Sequence, residues 1–117
     1  MSDITTYAGD TTIVDYTVIL NGAAVDLTGL TLRWAARRAY SDSAPVIEKE
    51  TDSGIVYTDA ARGKVRLTLR PADTASLAIS SPTTLVWALR LYNGSDVYTV
   101  ATGQLIVQPV AQREQPI

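Results

Sequence analysis

The stretch "DLTGLTLRWAARR", residues 26–38, decides the fold. From Leu30 onward it alternates: Leu30, Leu32, Trp34 and Ala36 fall on one side of an extended chain, and Thr31, Arg33, Ala35 and Arg37 on the other. Successive side chains of a β-strand point to opposite faces, so the pattern predicts a half-buried strand. Its leucine and tryptophan face belongs to a core, and its Arg33/Arg37 face meets solvent or a partner. Arg38 returns to the apolar side only at the strand's end.

The same period of two extends along most of the chain. Over residues 11–20, Thr12, Val14, Tyr16, Val18 and Leu20 form the expected core side, and Asn21-Gly22 supplies the dipeptide that readily takes the positive φ angles of a type I′ hairpin turn. Residues 39–45 are rich in Ser, Asp and Pro and predict a loop, after which "VIEKE" predicts a short or edge strand that Lys49 and its glutamates would guard against edge-to-edge pairing. "KVRLTLR" (64–70) turns Val65, Leu67 and Leu69 inward and Arg66, Thr68 and Arg70 outward. "TTLVWALRLY" (83–92) turns Leu85, Trp87, Leu89 and Leu91 inward, leaving Arg90 and Tyr92 outside. After "NGS" comes a long last strand, in which Gly103 marks a bulge or kink. The exception is "PADTASL", residues 71–77, where Pro71 suits a first helical position and Asp73 a first turn, so one short helical turn is expected.

With 117 residues, 46% of them hydrophobic and 19% charged, the chain predicts one globular domain over 1–117, with a short polar tail at 108–117. A net charge of −2 argues against nucleic acid as a partner, and no apolar run reaches the length of a membrane span. No secretion signal opens the chain, so synthesis in the cytoplasm is expected. Histidine and cysteine are both absent, which removes the commonest general base, thiol nucleophile and transition-metal ligands. Asp15, Asp26, Asp59 and Asp73 stand singly beside turns or strand ends, where Asp serves the backbone. The expectation is therefore no enzyme, no catalytic residue, no cofactor, no metal and no small-molecule substrate.

Seven or eight short strands with turn signals between them predict an all-β, immunoglobulin-like antiparallel β-sandwich. Trp34 and Trp87 are its core anchors and are expected to meet between the sheets; with no phenylalanine in the chain they would dominate the buried area. The alternative for them is a sugar-stacking platform. Tyr7, Tyr40, Tyr57, Tyr92 and Tyr98 are the better surface candidates.

Two resemblances add to this reading. "LRPADTASL" (69–77) resembles the stretch before strand F of antibody variable domains, although the Tyr-x-Cys that follows there is missing here. Over more of the chain, "VDLTGLTLRWAARR", "SGIVYTDAARGKVRLTLRPADTASL" and "LRLYNGSDVYTVATGQLIVQP" follow in an order and spacing that resembles small β-sandwich domains of tailed bacteriophages, among them the N-terminal domain of baseplate upper proteins. The matching features fall on Val25 to Gly29, Gly54 to Val65, Asp73 to Leu77 and Gly103 to Val107. That resemblance implies a non-enzymatic phage or prophage virion structural protein of the tail, baseplate or head-tail region, docking to other virion proteins or to itself as a homo-oligomer. The alternative is a carbohydrate- or cell-surface-binding module. The partner-binding candidates are Arg33, Arg37, Arg66, Arg70 and Arg90, with Asp15 and the "EKE" run as the nearest carboxylates that could pair with them in a merely solvated face.

Overall fold

A computed structural model describes residues 3–77 and 80–110. The strands, in chain order, are β1 (Ile4–Tyr7), β2 (Thr12–Thr17), β3 (Ile19–Leu20), β4 (Ala23–Ala24), β5 (Thr31–Arg37), β6 (Ile47–Thr51), β7 (Gly54–Asp59), β8 (Lys64–Leu69), β9 (Thr83–Asn93) and β10 (Asp96–Gln108). Eight of them form one hydrogen-bonded order, β1-β10-β9-β5-β6-β7-β8-β2, and β3 and β4 make a separate small hairpin. The sheet folds over on itself, so that the inner faces of β5, β9 and β10 and those of β7, β8 and β2 share a single core.

The alternation read from the sequence sets the burial. Leu32, Trp34 and Ala36 on β5, Val65, Leu67 and Leu69 on β8, and Leu85, Trp87, Leu89 and Leu91 on β9 are all buried. Asn21 and Gly22 take φ of 56° and 82°, the two successive positive values that a type I′ turn requires. The residue 11–20 run is broken at Val18, which is fully buried and donates its N–H to the Gly63 carbonyl at 2.8 Å.

Pairing is mostly antiparallel, with two exceptions. β1 lies parallel to the end of β10, Ile4 beside Leu105, and β6 lies parallel to β7 through Glu50–Gly54 and Thr51–Ile55 alone. That short contact is where the sheet passes from one layer to the other, so β6 is short, as "VIEKE" predicts, and has a strand on both sides only at Glu50, while Ile47–Lys49 pair with β5 alone. The Lys49 side chain crosses Gly54, which has φ of 100° and leaves room for it, and reaches Asp73 at 2.8 Å. Side chains stitch the same passage. Leu32 N–H donates to Thr51 Oγ1 at 2.9 Å, and Tyr57 O–H donates to the Leu30 carbonyl at 2.6 Å. Tyr57 therefore faces inward and is no surface candidate.

The expected helical turn is α1 (Pro71–Thr74), opened by Pro71 and held by Asp73, whose carboxylate accepts the Arg70 N–H at 2.7 Å. Asp73 thus serves both its own helix start and Lys49.

Three further expectations are corrected. The tryptophans do not meet from opposite sheets: Trp34 pairs with Leu89 and Ala36 with Trp87, so the two indoles are diagonal neighbours on adjacent strands, with centroids 6.0 Å apart and planes at 34°. The irregularity of β10 lies between Thr99 and Ala101, while Gly103 sits in regular register opposite Trp87. A bulge needs one extra residue and not a glycine, and Val100 provides it. Finally, Gln108 is the last residue of β10 rather than the start of a tail; the rest of the expected tail beyond Val110 lies outside the described residues.

Candidate interaction surface

On the outer face of β5 and β9 the register sets Arg33 directly opposite Arg90, Ala35 opposite Ala88, and Arg37 opposite Val86. Beyond β9, β10 adds Thr99 beside Arg90 and Thr102 beside Ala88; on the other flank β6 adds Glu50 beside Arg33. The face thus runs from carboxylate through arginine to hydroxyl.

Each arginine on it has a different circumstance. Arg33 approaches Glu50 at 3.4 Å and lies over the Tyr92 ring, its guanidinium carbon 5.1 Å from the centroid. Both ends of that ion pair are about half exposed, so it is worth at most ~1 kcal/mol. Arg37 donates from Nε to the Asp42 carbonyl at 3.0 Å, which ties the loop after β5 to the strand. Arg90 is exposed and has no ion pair among the described residues. Like charges directly opposite on neighbouring strands are destabilising, and only Arg33 of this pair has an anion to offset it.

Between the Arg33/Arg90 row and the loop lies an open groove of ≈ 500 Å³. Ala35, Ala88 and Val86 make its floor, with Arg37, Arg90 and Tyr40 among its walls. Tyr40 is 84% exposed, the most exposed of the large hydrophobic residues described. Two arginines outnumber the one carboxylate of the lining, Asp42, so the groove suits a ligand group that is narrow and negatively charged, such as a carboxylate side chain.

The other two arginine candidates lie elsewhere. Arg66 is on β8, in the layer opposite β5, beside Val56 of β7 and Asp15 of β2. Its Nε donates to Asp15 Oδ1 at 2.8 Å, and this hydrogen bond holds the Asp15 carboxyl below its ordinary value of 3.8. Arg70 follows β8 and borders a depression with Glu48, Lys49 and Thr68. Three of the five sequence-derived arginines are therefore brought together, on β5 and β9, and two are not.

Both tryptophans are core residues, 1% and 6% exposed, so neither offers a stacking platform to a sugar. Sequence reasoning missed the groove itself. Ala35 and Ala88 were visible as outward positions, but their juxtaposition depends on which strand becomes the neighbour of β5, and nothing local to residues 26–38 encodes that.

No known family pattern and no curated protein matches this sequence. Among solved structures, the chain is similar to the N-terminal domain of phage TP901-1 ORF48, at 14% identity and a TM-score of 0.48, over 92% of this chain and 84% of that one.

Proposed function

We propose that this chain is a non-enzymatic structural protein of a phage or prophage virion, a protein–protein interaction module of the tail, baseplate or head-tail region. It docks through the outer face of β5 and β9. The observation that carries this reading is the cross-strand pair Arg33–Arg90, with Arg90 in no ion pair among the described residues, at the border of the groove. A sheet face that sets two cations opposite each other forgoes up to ~1 kcal/mol relative to a neutral pair, and an acidic surface on a neighbouring subunit offsets that cost on assembly. Arginine suits such a contact because its planar fork pairs with carboxylates in two hydrogen bonds while its stem covers apolar floor. The motif order supports the phage class. The lack of histidine and cysteine supports the absence of catalysis.

The test is light scattering of the chain mixed with the other tail proteins of its phage. Replacing Arg37 and Arg90 with Ser is expected to leave the melting temperature within a few degrees and to weaken assembly, and added salt is expected to weaken wild-type assembly in parallel. Assembly indifferent to both would refute the role of this face.

A further inference from the structure

The eight-stranded order ends in β1 and β2, but its longest unpaired edge belongs to β10. β1 covers β10 only from Leu105 to Gln108, so among the described residues no strand pairs with Asp96–Gln104 on the side away from β9. Edges of this kind are templates for adding another strand, and proteins blunt them with charges, proline, bulges or shortness. The two terminal edges are blunted, since β1 is four residues long and β2 carries Asp15 with its Arg66 partner in mid-strand, and the unpaired parts of β6 and β7, Ile47–Lys49 and Val56–Asp59, are short. The β10 edge reads Asp-Val-Tyr-Thr-Val-Ala-Thr-Gly-Gln, with no lysine, arginine or proline and a single charge at its start. Two contacts guard its second half: at the irregularity around Val100 the carbonyl accepts the Tyr16 hydroxyl at 3.4 Å, and the Gln104 N–H donates to the Asp3 carboxylate at 3.2 Å. The stretch between Asp96 and Thr99 is left open. There Val97 and Tyr98, 39% and 40% exposed, point to opposite faces of the sheet, so both sides of the edge are apolar.

We propose that Asp96–Thr99 pairs antiparallel with the same segment of a second copy of this chain, joining two sheets edge to edge about a two-fold axis at Tyr98. The charge pattern selects this occupant. Antiparallel pairing about Tyr98 sets Val97 opposite Thr99 and Tyr98 opposite its symmetry mate, while Asp96 lies opposite Val100 and away from the other Asp96. No like charges meet, and aromatic and β-branched cross-strand pairs are the favourable kinds. The contact is short and therefore weak alone; within a symmetric assembly already held by other contacts, it acts as an intramolecular one. It borders the arginine face at Thr99 but contains no ion pair, so salt has no attraction in it to screen.

Sedimentation equilibrium of the full chain over a wide concentration range tests this. The wild type is expected to reach twice the chain mass at high concentration, equally in low and high salt, and Tyr98→Lys is expected to stay monomeric with an unchanged melting temperature. Hydrogen exchange on the wild type reads the same contact without a substitution: the amides of Asp96–Thr99 should gain protection as concentration rises. A wild type that stays monomeric, a dimer that survives Tyr98→Lys, a dimer that salt and Arg90→Ser dissolve, or exchange at Asp96–Thr99 that ignores concentration would each overturn the proposal.

Discussion

Replacing each tryptophan by phenylalanine separates two core positions that look equivalent in the sequence. Trp34 and Trp87 are adjacent, buried and tilted against each other. Their indole N–H groups differ. That of Trp87 donates to the Gln104 carbonyl at 3.2 Å, whereas that of Trp34 is buried without a partner among the described residues. Trp→Phe removes the same atoms from both, so the loss of packing largely cancels in the comparison. The polar part does not cancel. At position 87 a hydrogen bond worth about 0.5–1.5 kcal/mol is lost, while at position 34 an unsatisfied donor costing about 1–3 kcal/mol is relieved. Trp87→Phe should therefore be the less stable variant by about 3 kcal/mol, or roughly 12 °C in Tm for a domain of this size. Urea and thermal unfolding of the two variants, run side by side, measure this gap. Equal destabilisation, or a larger loss at position 34, would mean that the Trp34 N–H is satisfied in solution. Trp34 lines an internal space of ≈ 90 Å³, which is large enough for a water to do so.

Other outcomes follow from single contacts. Trp34→Ala and Trp87→Ala should each cost about 3–5 kcal/mol, the range for deleting a core aromatic, seen as a lowered urea midpoint. Gly63→Ala should cost about 2–4 kcal/mol, since φ is 73° and the new Cβ would lie 2.8 Å from the Val18 carbonyl; Gly94→Ala, with open space around it, should cost only about 1 kcal/mol in the same assay. The Asp15 carboxyl is held below 3.8 by Arg66, so its contribution is present above the ordinary carboxylate range and disappears as pH falls through the lowered value. Asp15→Asn should accordingly narrow the difference in Tm between neutral and acid solution. Burial raises the Tyr57 hydroxyl above 10.0, so stability from its neutral form is complete below that value and falls as pH rises through the raised one. Tyr57→Phe should flatten that alkaline decline while lowering Tm at neutral pH.

Burial was legible in the sequence wherever alternation was strict, because the period of a strand is also the period of its exposure. Leu32, Trp34 and Ala36, and their counterparts on β8 and β9, needed no knowledge of the neighbouring strands. Position within the sheet was not legible. "VIEKE" reads as a short or edge strand from its charges, but Glu50 faces Arg33 and Lys49 runs to Asp73, partners distant in sequence that only the pairing order supplies. For the same reason the tryptophans could be assigned to the core but not to adjacent strands, and the five arginines to outer faces but not to one layer. The bulge at Val100 escaped because it uses an ordinary residue, whereas Gly103 drew notice only by being a glycine.

The docking proposed for the β5/β9 face is open to direct measurement, because the chain contains no cysteine. A single cysteine carrying a photo-cross-linker is placed at Thr102, which lines the arginine groove, and in a second protein at Thr58, on β7 in the opposite layer. Each is incorporated into assembling particles and irradiated, and the cross-linked peptides are identified by mass spectrometry. Docking through this face should give capture of an acidic segment of a neighbouring subunit from position 102, lost on Arg90→Ser, and none from position 58. Capture from 58 alone, or from neither position in particles that contain the chain, would contradict it.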